Sequence, residues 1–308
     1  MRKILIPALM LFTLCASAQD QTVKNLQAEA SKTIKKETDT IPRTWRTGGI
    51  FNLNLSQGSL SNWAAGGDKF SLSLNTLLSA YAFYKKNKAS WDNTIDVNFG
   101  FVNTTTLGNR KNDDRFDVLS KYGHAIAPKW NLAALFNFRT QMAKGYTYGA
   151  DNTKTFSSAF LSPAYVLLSL GLDFRPTQNF SLFLSPVTAR WVIVRDDSLA
   201  AKGAYGVEPG KNSRSEFGAF VSATYLKNLS PTVSYKGRLD LFSNYKHNPE
   251  KIDVYMTNMF AVKLSKVLAA TWNFDLIYDD DVRMFGPNHN EAAWQVKSLI
   301  GLGVMLKF

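Results

Sequence analysis

Charged residues spaced two apart inside apolar stretches are the first candidates for chemistry in this sequence. Asp92, Asp96, Asp173, Asp240 and Asp275 supply the acidic share, and Arg139, Lys236, Arg238, Lys263 and Lys297 the basic one. A charge taken out of bulk water must be paired or hydrated. Two kinds of interior satisfy that demand: a wet path selective for a solute, or a lattice of ion pairs acting as a polar core. The residue types fit both.

Covalent chemistry has thinner support. His124 falls in a strand beside Gly123, while His247 and His289 fall in loops, and none is spaced from a serine as a nucleophile–base pair. The sequence contains no G-x-S-x-G and no phosphate-cradling glycine loop ending in Lys-Ser/Thr. Asp279, Asp280 and Asp281, with Asn288 and Glu291 downstream, offer oxygens to calcium, but the glycine-turn spacing of a calcium loop is missing. A solvated acidic loop is the simpler reading. No catalytic residue, cofactor or metal is therefore expected; a lipid-modifying enzyme would have to depend on His124 or His247.

The elements that position these charges are strands. The chain opens with Arg2 and Lys3, an apolar run from Ile4 to Leu14, and the small residues Ala16-Ser17-Ala18. That is the pattern of a cleavable signal peptide over residues 1–18, too short for a membrane span. The single cysteine, Cys15, lies within it, which leaves no disulfide for the remainder. Residues 19–45 are polar and lysine-rich and read as a flexible or weakly helical periplasmic leader. From Arg46 to Phe308 the period is two, as in Ile95, Val97, Phe99 and Phe101 against Asp96 and Asn98, or Leu168, Leu170 and Leu172 against Ser169 and Asp173. About twelve such segments alternate between short and long connections, each near the roughly 9–11 residues of a bilayer-crossing strand. The long ones include the polar runs Thr105–Arg115 and Arg195–Glu216.

The expected fold is all-β: an up-and-down antiparallel transmembrane β-barrel over residues 46–308. A soluble β-sandwich also alternates, yet here one face carries charge in strand after strand and the other is almost purely apolar. Aromatics such as Trp45, Trp91, Trp130, Trp191 and Trp294 gather near strand ends, as in the girdles at a membrane–water boundary. The formal charge of +12 is spread through turns and strands without a nucleic-acid motif, so anionic lipid, not nucleic acid, is the expected electrostatic partner.

Two motifs add a resemblance. Gln57, Asn62, Trp63, Gly66 and Gly67 form Q-x4-N-W-x2-G-G, followed by Trp91, Asp92 and Asn93. The pattern resembles the Bacteroidota outer-membrane family catalogued as domain of unknown function 3078, which implies a barrel and an outer-membrane address and supplies no activity. Gly303, Leu306 and Phe308 in "GLGVMLKF" resemble the signal read by the barrel-insertion machinery, with Gly301 where a polar residue is usual. The function these readings favour is a passive channel or transporter for a small polar solute, gated by the Gln57–Asp68 loop folding inward. The rival is a closed structural subunit of a periplasmic or outer-membrane complex.

Overall fold

The computed structural model describes residues 44–60, 68–149, 153–283, 285 and 291–307. Residues 1–18, nearly all of residues 19–45, Asn62, Trp63, Gly66, Gly67, His289 and Phe308 lie outside the described residues. Twelve strands close into one antiparallel ring. They are β1 (Trp45–Ser59), β2 (Phe70–Lys86), β3 (Ala89–Thr104), β4 (Gly108–Ala127), β5 (Trp130–Thr140), β8 (Ala164–Phe174), β9 (Phe180–Ile193), β10 (Ser213–Asn228), β11 (Val233–Asn244), β12 (Ile252–Lys263), β13 (Leu268–Tyr278) and β14 (Gln295–Lys307). Between β5 and β8 stands a small separate hairpin, β6 (Gly145–Tyr148) with β7 (Lys154–Ser158). A five-residue helix, α1 (Asp197–Ala201), interrupts the run of strands that the period-two reading carries through to the end.

The faces of the wall are inverted relative to a soluble barrel. Along β8, Leu170 is 58% exposed while its neighbours Ser169 and Asp173 are buried. Along β14, Ile300 is 81% exposed, and Leu302, Val304 and Leu306 follow it on the same row. An apolar exterior around a closed sheet suits hydrocarbon, because closing the ring of strands pairs the first strand with the last. Rings mark both ends of this band. At the end with the short turns, Trp45 stands edge-on to Tyr84 at 5.2 Å and 6.0 Å from Trp91. At the end with the long loops, Trp294 lies 5.0 Å from Tyr278, and Tyr245 lies 6.0 Å from Phe217.

Two expectations need correction. The polar run after Thr105 is not a long loop: β3 and β4 continue through it as a hairpin closed by a tight turn between Thr104 and Gly108. The interior is also not charged all round. Leu135, Phe183, Phe220 and Phe242 from β5, β9, β10 and β11 pack as a buried apolar arc. In "LAALF" both faces are apolar, so alternation is silent about which leucine points inward.

Closure rests on the seam between β1 and β14, paired from Ile50 to Asn54 against Lys307 to Gly303. Asn52 donates through Nδ2 to the Val304 carbonyl at 3.3 Å, and Asn54 Nδ2 donates to Asn52 Oδ1 at 2.7 Å. Gly303 lies directly opposite Asn54, and a Cβ there would come within 2.2 Å of the Leu53 carbonyl oxygen. Gly303→Val should therefore force the seam apart and destabilise the barrel by roughly 1–3 kcal/mol. The temperature at which the folded band is lost on a semi-native gel should fall; an unchanged transition would refute this reading of the seam.

Candidate functional site

Alternation aims one row of each strand inward, and in this barrel those rows meet across the lumen. Lys236 on β11 donates to both Asp96 oxygens, at 2.7 and 2.8 Å, and to Ser79 Oγ at 3.1 Å. β11 and β3 are six places apart in the twelve-strand ring, so this bond spans its full width. Arg238 reaches Asp117 at 3.4 Å and Asp240 at 2.6 Å, and Arg139 reaches the same two carboxylates at 3.2 and 3.5 Å. Nearer the loop end, Asp275 takes Arg115 at 3.1 Å and Lys297 at 2.8 Å, and Lys297 also holds Asp113 at 2.8 Å. Toward the turn end, Lys121 meets Asp173 at 2.6 Å, and Arg175 links Asp173 to Asp92, the latter at 2.7 Å.

Eight of the nine inward charges among the sequence candidates other than Asp92 thus enter lumen ion pairs, arranged in four groups: Asp96, Arg139, Asp173, Lys236, Arg238, Asp240, Asp275 and Lys297. The ninth, Lys263, is the last residue of β12 and is exposed at the rim. The partners Asp113, Arg115, Asp117 and Lys121 are new. Their signal was present as strict period two from Asp113 to Lys121, hidden because the stretch is polar enough to pass for a loop.

Of the motif residues, Gln57 is exposed on β1. Trp91 and Asn93 share the outer face, where Trp91 Nε1 donates to Ser120 Oγ at 2.8 Å and Ser120 Oγ donates to Asn93 Oδ1 at 2.8 Å. Asp92, between them, points the other way toward Arg175. The Trp-Asp-Asn run thus couples an interfacial anchor to the lumen network. Asp68, at the end of the Gln57–Asp68 segment, accepts from the Thr106 backbone N–H at 2.9 Å, and Thr106 holds its carboxyl below the usual range.

The loop between β9 and β10 folds inward, where its Tyr205 borders the lumen cavity. Residues 194–212 close at their neck, where Val194 N–H donates to Asn212 O at 2.8 Å and Asn212 Nδ2 returns to Val194 O at 3.0 Å. Asp196 caps α1, accepting from the Ser198 and Leu199 backbone N–H groups. Leu199, Ala200 and Val207 bury against Val194, with Phe156 and Tyr205 packed on them. Tyr205, at φ 57°, donates its hydroxyl to the Ser157 carbonyl at 2.6 Å, and burial pushes its phenol up to about 12. Tyr205→Phe should loosen this roof by about 1 kcal/mol. Faster cleavage within residues 194–212 by added protease would show it; an unchanged rate would count against the tether.

Under this roof lies a lumen cavity of about 250 Å³. Arg115, Arg139, Asp240, Asp275 and Lys297 contribute to its lining, Phe220 and Phe242 form an apolar flank, and Tyr205 and Asp279 border it from the loops. The acidic run at residues 279–281 is not a solvated loop. Its three carboxylates diverge: Asp281 binds Arg214 at 2.9 Å, Asp280 binds Lys251 and Arg283 at 3.1 and 3.0 Å, and Asp279 is buried at the cavity. Burial holds the Asp279 carboxyl above the usual range, with Asp281 and Glu216 adding to the effect against Arg190. Against its own burial, Asp280 is held low by Lys251 and Arg283. His124 is exposed on β4 and His247 is exposed in the loop after β11, so neither lies at the cavity.

A family described as "Protein of unknown function (DUF3078)" matches residues 55–146, a narrower stretch than the whole barrel. No curated protein matches the chain. Among solved structures, the COG4313 outer membrane channel from Pseudomonas putida F1 is similar at 11% identity and a TM-score of 0.39, covering 89% of this chain and 98% of that one. The translocator domain of autotransporter NalP from Neisseria meningitidis is similar at 12% identity and a TM-score of 0.35, covering 94% and 98%. Outer membrane phospholipase A from Escherichia coli is similar at 11% identity and a TM-score of 0.33, covering 88% and 94%. Likenesses this remote decide nothing about activity.

Proposed function

We propose that this chain is an outer-membrane barrel that binds a small polar solute in its lumen and passes it when roof and floor give way. The observation that carries the reading is the cavity itself, held between the 194–212 roof and the transverse ion pairs Arg139–Asp240 and Arg115–Asp275 that line its floor. In this reading residues 1–18 direct export and are removed, the loop end faces outward, and the exposed apolar rows sit in outer-membrane lipid after delivery by the barrel-insertion machinery. Among the described residues the gate is the roof, with Lys236–Asp96 as the crossbar beneath. A second reading, a permanently closed subunit of an envelope complex, draws support from the even charge balance of the lower lumen.

Swelling of proteoliposomes in isotonic small sugars and amino acids separates the two. A variant with residues 197–210 replaced by a short Gly-Ser link should swell faster than wild type, with the smallest solutes gaining most. Equal, background rates in both folded proteins would overturn the transport reading.

A further inference from the structure

The lumen charges balance layer by layer, except at one place. Lys121 and Arg175 face Asp173 and Asp92; Arg139 and Arg238 face Asp117 and Asp240; Arg115 and Lys297 face Asp275 and Asp113; Lys236 faces Asp96. At the outer end, Arg190 contacts Glu216 and Asp253, and Arg214 contacts Glu216 and Asp281. Asp279 is 8% exposed, accepts the Asp281 backbone N–H at 3.0 Å, and has no ion pair among the described residues. Four carboxylates therefore share two guanidiniums. The surplus cation nearby, from Lys251 and Arg283, is spent on Asp280 at the solvent-exposed rim.

Both Asp253 and Asp279 border the cavity, as do Tyr165 and Tyr278. The Tyr165 hydroxyl has no hydrogen-bond partner among the described residues. This barrel already stacks cations on rings within the same space: Arg139 lies 3.3 Å from the Tyr255 centroid and Arg190 4.1 Å from that of Phe242. A buried carboxylate with no ion pair of its own, beside aromatic faces and a hydroxyl unpartnered among the described residues, is the environment a positive nitrogen completes. At about 250 Å³, the cavity is many times what a single water needs.

We infer that the outer end of the cavity binds a small organic cation, an amine or a guanidinium, with Asp253 and Asp279 as its counter-charge. This rests on the cavity being a solute site and adds the class of solute. Titration calorimetry of the full chain in detergent, with 1,4-diaminobutane as probe and 1,4-butanediol and succinate as controls, tests it. Wild type should bind the diamine in preference to both controls, and Asp279→Asn should weaken that binding at least tenfold while keeping the folded gel band. Asp253→Asn serves as the second variant if Asp279→Asn does not fold. Equal binding of diamine and diol, stronger binding of succinate, or an affinity untouched by the replacement would overturn the inference. Diamine binding without any solute-driven swelling would overturn the transport reading alone, and swelling without diamine preference would overturn the cation site alone.

Discussion

Arg238→Met should lower the stability of the refolded barrel by about 3–5 kcal/mol, because removing one member of a buried ion pair strands the other. Arg238 is 8% exposed and serves Asp117 and Asp240, both as deeply buried. Arg139 keeps its contacts with the same two carboxylates, so a single guanidinium is left between two negative charges. That residual partner places the loss toward the lower end of the range. Adding Asp240→Asn should recover most of it, since Asn retains an acceptor for the Ser222 hydroxyl, which donates to Asp240 Oδ1 at 2.7 Å, and Arg139 then matches Asp117 one to one. Urea unfolding in lipid vesicles measures both variants. A single variant as stable as wild type, or a double variant no better than the single, would show that the network is not a buried, mutually dependent one.

Leu170→Arg tests the opposite face. Leu170 stands near the middle of the eleven-residue β8 and is 58% exposed, with Leu168 and Leu172 beside it on the outer row. Where that row lies against hydrocarbon, an arginine at mid-depth costs roughly 2–4 kcal/mol, falling toward zero near the interfaces. Where the row lies against water, the same change would be close to neutral, as surface substitutions usually are. Unfolding from vesicles should therefore show a loss for Leu170→Arg and little for an arginine at exposed Lys263. Equal, small effects at the two positions would argue for a soluble barrel.

The ring was legible because its signal is local. Period-two rows such as Val166 to Phe174 and Ile300 to Leu306 state which side faces lipid, and short turns alternating with longer connections force an up-and-down order. The lumen pairs were legible as types and not as partners. Asp96 and Lys236 lie 140 residues apart, and only closure of the ring brings them together. The apolar arc of Leu135, Phe183, Phe220 and Phe242 left no trace, since both rows of those strands are apolar there. The roof was not legible for a related reason. Residues 194–212 bury Val194, Leu199, Ala200 and Val207 within a polar stretch, a pattern that acquires meaning when Phe156 of the β6–β7 hairpin packs on them, whereas the conspicuous Asn62 and Trp63 lie outside the described residues. Asp279 read as part of a solvated triplet because sequence does not show that three adjacent carboxylates point to three different partners.

The central claim is a solute path closed twice, by the roof and by the crossbar. Single-channel current in a planar bilayer tests it most directly, using wild type, the 197–210 replacement, and that replacement combined with Asp96→Ser and Lys236→Ser. Removing both ends of the crossbar together leaves no stranded charge. Wild type should be near silent, the roofless barrel should give small discrete steps, and the barrel lacking roof and crossbar should give larger ones. Silence in all three correctly folded proteins, or a large steady current through wild type, would contradict the account.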